Sequence, residues 1–472
     1  MASVKAYRDG DPGAPSFPAE FEVLKKAVLQ VTDIKTNRNK YYAIELHGAA
    51  ASYRVFTHYG RTDDLESNPN AGAKESRFFL DAEAAEACYT SIYREKTSPK
   101  KGYREVSLAS SKIGSQKARG KSSGEVDEKT IAKLAKEKGA TPPPNPSALS
   151  PAIQSLVSYI YAEATSALTS TVAAKITAEG IETPLGVLTI GQIERGESIL
   201  QTLYAEFQKK KPRRSEMERL SGEFYTAIPH RIGRTRAAVE EAVIDSLSDF
   251  EQKQETLQLM KDMLAVSGDS AVLYDAKIDA QYEALRCHIG AVDPASSTYR
   301  ELEAYVLRSQ VKSKKIKVTN IYTLMRDEEW GAYDGSVGNE RLLYHGSRIK
   351  NWVGLLSRGI LLPKIVVSLG VNRTDAGWLG NGIYFGDAAC TSAFYTTPGR
   401  KGTRLMAVAR VALGKPAKYT KITYGLKGPP DGFDSCHGVR NAPGAPSQFE
   451  DDEYVIYQGN RQRMEALVEF TA

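Results

Sequence analysis

Three short runs near the carboxyl end combine residue types whose spacing suits chemistry more than packing. Leu342-Leu343-Tyr344 reads as a strand that ends in His345-Gly346-Ser347, so an imidazole and a hydroxyl flank a residue with no side chain. Glycine there lets a planar ligand lie against the backbone and exchange hydrogen bonds with its N–H and C=O. The run Gly377-Trp378-Leu379-Gly380-Asn381-Gly382-Ile383-Tyr384-Phe385-Gly386 is followed by Ser392 and Tyr395, three apart. On a short helix that spacing puts a hydroxyl and a phenol on one face, placed to bond and stack on a flat aromatic amide. Glu453 opens the strand Glu453-Tyr454-Val455-Ile456-Tyr457, in which Glu453, Val455 and Tyr457 share a face. If that face is the inner one, a carboxylate stands at the edge of an apolar surface and needs a partner or a task.

Taken singly, each run has a plainer reading. His345-Gly346-Ser347 reads as readily as a strand ending in a turn, and Glu450-Asp451-Asp452-Glu453 as one solvated acidic loop. The glycines at 377, 380 and 382 do not follow Gly-x-Gly-x-x-Gly and no βαβ pattern surrounds them, which argues against a dinucleotide-binding oxidoreductase. Cys88, Cys287, Cys390 and Cys436 are too far apart for a zinc module or a disulfide framework, so all four are expected as free thiols in a reducing compartment.

The elements that must carry these residues fall into segments. Strand-like runs at Val28–Val31, Tyr41–Leu46 and Tyr53–Tyr59, a helix over 82–96 and a closing strand at Tyr103–Leu108 predict an antiparallel module over 21–108, preceded by a flexible terminus, 1–20. Ser, Lys, Gly and Pro crowd 109–148, read as a linker with one helical piece near Glu128–Lys138. Over 149–270, Ser150-Pro151 and the pair Thr189/Gln192 read as helix starts ahead of apolar stripes such as Ile193, Gly196, Leu200, Leu203, Tyr204 and Phe207. That region is predicted to be an all-α bundle. Residues 271–472 alternate short strands with glycine-rich loops, a mixed and mainly β domain, so the fold class is multidomain α+β.

Composition narrows the class. The chain has 472 residues, 41% hydrophobic and 25% charged, with no apolar run of membrane-spanning length. Its first residues lack the basic-then-apolar order of a secretory signal, so it is expected neither secreted nor in a membrane. The formal net charge is +6, yet Lys96, Lys100, Lys101, Arg104, Lys112, Lys117, Arg119 and Lys121 face only Glu105 within one stretch. Such a stretch suits a polyanion such as nucleic acid, or a solvated linker. A second basic run, Lys209 to Arg214, reads as an interhelix loop.

Taken together the motifs resemble the DNA-dependent poly(ADP-ribose) polymerases that carry a WGR module and no zinc fingers. The order His-Gly-Ser, Gly-x-Gly-Ile-Tyr-Phe, Ser-Ala-x-Tyr and Glu-Tyr-x-x-Tyr is that family's signature. Thr183-Pro184-Leu185-Gly186-Val187-Leu188 and Leu220 to His230 look like its regulatory helical domain, and His58-Tyr59-Gly60-Arg61 like its WGR module, with Tyr59 in place of the tryptophan. The resemblance implies NAD+ as substrate and no metal. Gly346 and Ser392 would hold the nicotinamide carboxamide, Tyr395 and Tyr384 its ring, and His345 the adenine-side ribose with Ser347 nearby. Glu453 would be catalytic, together with His345 and Tyr384. Tyr59, Arg61, Lys100, Lys101 and Arg104 would meet DNA.

The implied activity is DNA-break-stimulated transfer of ADP-ribose from NAD+ to protein acceptors, the chain itself included, with elongation and nicotinamide release. The implied partners are 5′-phosphorylated ends or nicks, the implied state a monomer, and the implied place a nucleus or, in a bacterium, the cytoplasm and nucleoid. Mono-ADP-ribosylation on the same fold and a catalytically weak DNA-end-binding scaffold are the alternatives.

Overall fold

The computed structural model describes residues 4–49, 52–121, 147–172, 174–177, 180–230, 232, 235–267, 278–310, 315–362 and 377–472. The expected helical piece at 128–138 and the expected boundary at 270/271 lie outside the described residues. Two compact units are found. One comprises 1–145 with 168–264, the other 146–167 with 265–472.

In the first unit, strands β1 (Tyr7–Arg8), β2 (Glu22–Asp33), β3 (Arg38–Ala49), β4 (Ser52–Arg61), β5 (Ala73–Phe79) and β6 (Arg104–Glu105) form one antiparallel sheet in the order β1-β5-β4-β3-β2-β6. The helix Ala82–Thr97 starts on Asp81, whose carboxylate accepts from the Ala84 N–H at 2.7 Å. Its Ala85 and Tyr89 pack with Leu29, Tyr42, Ile44, Leu46 and Val55 on one sheet face. Two expectations change here. The terminus 1–20 is not wholly free, because Tyr7 and Arg8 pair with Ser76 and Glu75 and the ring of Tyr7 meets Phe78.

The other correction concerns the linker, which does not begin at 109. Lys26, Glu45 and His47 point away from the helix-covered face and are buried, and charged groups there need partners. Residues 111–121 supply them: Lys26 donates to the carbonyls of Ile113 (3.1 Å) and Ala118 (2.7 Å), and Glu45 accepts from the N–H (3.0 Å) and hydroxyl (2.5 Å) of Ser115. His47 Nε2 bonds Glu45 at 2.7 Å. Just before, β7 (Leu108–Ser111) joins β8 (Lys175–Thr177), β9 (Gly180–Glu182) and β10 (Gly186–Leu188) in a small sheet ordered β7-β10-β9-β8.

The helical region of this unit holds Ile190–Phe207, Arg214–Ala227, Arg236–Glu241 and Leu247–Ser267, with that small sheet in addition. Thr189 caps the first helix by accepting from Gln192 N–H at 3.2 Å. The Gln192 side chain does not close a capping box. It bonds Ser107 N–H at 3.0 Å and the Ala227 carbonyl at 3.0 Å instead. Arg214–Ala227 lies on β2 through Gly222, where a β-carbon would stand 2.6 Å from the Thr32 carbonyl oxygen. The Thr226 hydroxyl accepts from Thr32 N–H at 2.9 Å.

The second unit is built on nine strands: β11 (His288–Ala291), β12 (Lys317–Met325), β13 (Glu340–Gly346), β14 (Ile383–Gly386), β15 (Arg404–Ala412), β16 (Pro416–Tyr419), β17 (Ser435–Gly438), β18 (Glu453–Ile456) and β19 (Gln462–Thr471). Their order is β11-β12-β19-β15-β13-β14-β18-β17-β16, antiparallel except for β16 with β17. Val306 of the helix Ser297–Arg308 packs with Tyr344, Met406, Val408, Val468 and Phe470 as the core. Residues 151–167 of the helix Pro151–Thr171 belong to this unit, where Tyr159 donates to the Thr403 carbonyl at 3.0 Å. No helix among the described residues is long and apolar enough to cross a membrane.

Candidate active site

Strand order brings the three carboxyl-end runs together. β13, β14 and β18 are neighbours, with Tyr344 opposite Gly386, Gly386 opposite Glu453, and Tyr384 opposite Val455. His345 and Gly346, then Tyr384, then Glu453 therefore stand on three adjacent strands, although more than 100 residues separate the first from the last. β13 meets β14 at one residue pair only, while its whole length pairs with β15.

His345 is half-buried and its Nδ1 lies 3.0 Å from the Tyr384 carbonyl oxygen. A carbonyl accepts only, so Nδ1 carries the proton and Nε2 is left as an acceptor. Burial holds the imidazole below its usual pKa, against that one hydrogen bond, so it is neutral near pH 7. The Tyr384 hydroxyl donates to the Gly380 carbonyl (2.7 Å) and accepts from Leu379 N–H (2.9 Å), which fixes the glycine-rich turn to β14. Gly380 needs its left-handed backbone, φ +81°, and the Leu426 backbone leaves no room for a side chain there.

Ser392 sits on the helix Ala389–Ala393, is buried, and donates to the Tyr344 carbonyl at 3.0 Å. Its own carbonyl covers Gly346. The helix ends before Tyr395, so Ser392 and Tyr395 do not share a helical face as the spacing predicts. Phe394 and Tyr395 occupy the following turn, 83% and 47% exposed. Ser347 accepts from the Asn351 side-chain amide at 3.2 Å.

Glu453 faces inward. It is 8% exposed and Asp451 4%, so of the acidic run 450–453 only Glu450 is an exposed residue. Among the described residues the Glu453 carboxyl has no hydrogen bond or ion pair. Burial, with Asp451 nearby, pushes it up to about 7. Gly386 and Gly438 flank it on β14 and β17, so no side chain crowds it from the opposing register positions.

Sequence reasoning missed the charges around it. Arg440 donates to Asp387 at 2.7 Å and its Nε stands 3.5 Å from Asp451 and 3.9 Å from Asp452. Its backbone N–H donates to Asp452 at 3.1 Å, and His437 Nε2 lies 2.5 Å from the same carboxylate oxygen. Burial raises Asp452, but these hydrogen bonds outweigh it and hold its pKa low. No group of three metal-ligating side chains occurs among the described residues.

The residues expected to meet DNA lie in the first unit. Tyr59 stacks on Tyr42 with ring centroids 5.2 Å apart and planes at 10°, and its hydroxyl donates to Glu75 at 2.8 Å. One face of the ring is therefore already taken. Arg61 is half-buried, donating to the Asn37 carbonyl and to Asp63, both at 3.2 Å. Lys100, Lys101 and Arg104 are exposed.

Three family descriptions match in succession: a WGR domain over 25–110, a poly(ADP-ribose) polymerase regulatory domain over 147–282, and a poly(ADP-ribose) polymerase catalytic domain over 296–472. The mouse protein mono-ADP-ribosyltransferase PARP4 is 34% identical over 324 residues, which cover 68% of this chain but 16% of that protein. The mouse protein mono-ADP-ribosyltransferase PARP3 is 25% identical over 484 residues, 93% of this chain and 87% of its own length. Rice poly [ADP-ribose] polymerase 2-A is 29% identical over 292 residues, 58% of this chain and 42% of its own. With these three domains in this order, the chain belongs to the WGR-containing poly(ADP-ribose) polymerase family.

Proposed function

We propose that this chain transfers ADP-ribose from NAD+ to protein acceptors, itself among them, and releases nicotinamide. The observation that carries the reading is the buried carboxyl of Glu453, without a hydrogen bond or ion pair among the described residues, on a run of three adjacent strands with His345 and Tyr384. Cleavage breaks the bond between the ribose C1′ and the pyridinium nitrogen. Its electron pair neutralises the ring, and positive charge develops on the sugar. A carboxylate at that carbon stabilises the charge, as in glycoside hydrolysis. Glu453 accepts from the ribose 2′-hydroxyl and takes the proton of the acceptor as its heteroatom attacks C1′. Neutral His345 accepts a hydrogen bond from a ribose hydroxyl at Nε2. The Ser392 oxygen, which donates to Tyr344, keeps a lone pair for the carboxamide N–H, while Tyr395 stacks on the ring and Tyr384 bounds it.

The test is Glu453→Gln in the full chain. We expect NAD+ binding within about threefold of wild type and nicotinamide release lowered by at least ~100-fold. Wild-type release would end the assignment.

Stimulation by DNA breaks and chain elongation belong to the same proposal. The WGR match and the exposed Lys100, Lys101 and Arg104 support the first. NAD+ turnover with and without nicked, 5′-phosphorylated duplex tests it, and equal rates refute it. The retained trio His345, Tyr384 and Glu453 favours elongation. A second reading, single-unit transfer, is favoured by the mouse relative that matches along 93% of this chain and is named a mono-ADP-ribosyltransferase. A gel ladder or a single-step shift with labelled NAD+ separates the two.

A further inference from the structure

We propose that Arg440 is a positioning residue for this reaction, tying the start of β18 to the end of β14 through Asp387, Asp451 and Asp452 and so fixing where Glu453 stands. The proposal rests on the role given to Glu453 above. The Glu453 carboxyl has no hydrogen bond among the described residues and is placed by its strand, and Arg440 reaches both sides of that strand's start. On the β14 side it bonds Asp387, the residue after Gly386, at 2.7 Å. On the β18 side its N–H holds Asp452 at 3.1 Å and its Nε faces Asp451 at 3.5 Å.

Asp451 is the charge that acts on Glu453, and the other titratable groups around the start of β18 come from every neighbouring strand. β13 contributes Arg341, which donates to the Tyr454 hydroxyl at 2.7 Å, and the end of β14 contributes Asp387. β17 and the residues after it contribute His437, stacked on Tyr454 with centroids 4.4 Å apart, and Arg440. β18 is entered through Asp451 and Asp452, and Asp451 also accepts from the Thr391 hydroxyl. The helix Ala389–Ala393 brings the buried Cys390 thiol. Three carboxylates thus precede or flank a fourth, and Arg440 is the cation in direct contact with all three. Arg440 Nε and Asp451 Oδ1 are both buried without a hydrogen-bond partner among the described residues, so their contact is electrostatic and depends on the guanidinium staying where Asp387 and Asp452 hold it.

Without Arg440, Asp387 and Asp451 lose the cation they contact, while Asp452 keeps His437. Glu453 then ionises at higher pH, and the ends of β14 and β18 are free to part. The experiment is NAD+ turnover by the full chain from pH 5.5 to 9, for wild type, Arg440→Gln, Arg440→Lys and Glu453→Gln. For Arg440→Gln we expect the rising limb of kcat/KM to move up by about one pH unit and kcat at pH 9 to fall about tenfold, with KM within about threefold of wild type. An unmoved limb, or a loss confined to KM, overturns the proposal. If Arg440→Gln does not fold, Arg440→Lys decides. It keeps the charge without the fork, so a kcat lowered about tenfold at unchanged KM supports the tie and wild-type kcat overturns it. Full activity in Glu453→Gln refutes the underlying mechanism whatever the Arg440 variants do. An inactive Glu453→Gln with a wild-type Arg440→Gln profile refutes this proposal alone.

Discussion

Gly346 lies directly beneath the carbonyl of Ser392: a β-carbon on it would overlap the carbonyl oxygen, stand 2.9 Å from the carbonyl carbon and 3.2 Å from the Thr396 methyl. The helix end that carries Ser392 can approach β13 only because residue 346 has no side chain. Gly346→Ala is therefore expected to push the Ser392 turn off the strand, at about 1–3 kcal/mol of stability. It should weaken benzamide binding at least about tenfold. Thermal unfolding and benzamide titration read the two effects, and wild-type values for both would show that the contact is dispensable.

With the role proposed for Glu453, activity and stability are expected to run in opposite directions with pH. Its carboxyl, near 7 when folded and ordinary when unfolded, is more protonated in the folded chain between about 4.5 and 7. The folded state binds the extra proton there, so stability falls as pH rises through that window, while turnover, which needs the carboxylate, rises about tenfold per unit below 7 and levels above it. Glu453→Gln should unfold later than wild type at pH 8, by on the order of 2 kcal/mol, though it is nearly inactive. An inactive variant with lowered stability at pH 8 would contradict this origin of the shift.

His230 is expected to make the helical region sensitive to acid. It is buried, its Nδ1 bonds the Ile228 carbonyl at 2.7 Å, and its Nε2 has no partner among the described residues. It lines a cavity of about 280 Å³ with Tyr225, Asp249 and Lys253. Burial, aided by the charge of Lys253, lowers its pKa to about 3. The unfolded chain takes up the proton first, so stability present above about 6.5 is lost as pH falls towards 3, at about 1.4 kcal/mol per unit. Hydrogen exchange over 214–264 at pH 7 and pH 5 should show this loss in wild type and not in His230→Gln. Equal slopes would assign it elsewhere.

Gly222 sets how closely its helix lies on β2. Gly222→Val must displace the helix from the Thr32 carbonyl and stretch the hydrogen bond between Thr32 N–H and Thr226. We expect a loss of about 1–3 kcal/mol, with faster exchange at the Thr32 amide than in wild type. Unchanged exchange there would show that the helix accommodates the side chain.

The parts of this site that are local in sequence were legible there. His345-Gly346-Ser347, the glycine-rich run and Glu453 each carry their residue types within a few positions, and strand alternation already put Glu453 on the face of Val455. Arg440 and Asp387 were not legible, because they come together through the order of β14, β17 and β18, which no spacing encodes. The Ser, Lys and Gly composition of 109–121 suggested a free linker, since its anchors, Lys26 on β2 and Glu45 on β3, lie some seventy residues or more earlier in the chain. Gln192 has the spacing of a capping box, yet its amide is drawn to Ser107 and Ala227 once the helix packs.

The docking of residues 111–121 also changes what their charge can do. Lys112 is paired with Glu182, Lys117 with Glu20 at 2.7 Å, and Arg119 donates to the Asn70 side chain at 2.5 Å. A loose polycation adapts to any phosphate spacing and displaces many counterions, whereas charges held by the fold and partly neutralised present one geometry and release few. The duplex binding proposed for this chain should therefore weaken with salt far less steeply than its tally of lysines and arginines suggests, leaving discrimination among DNA ends to shape.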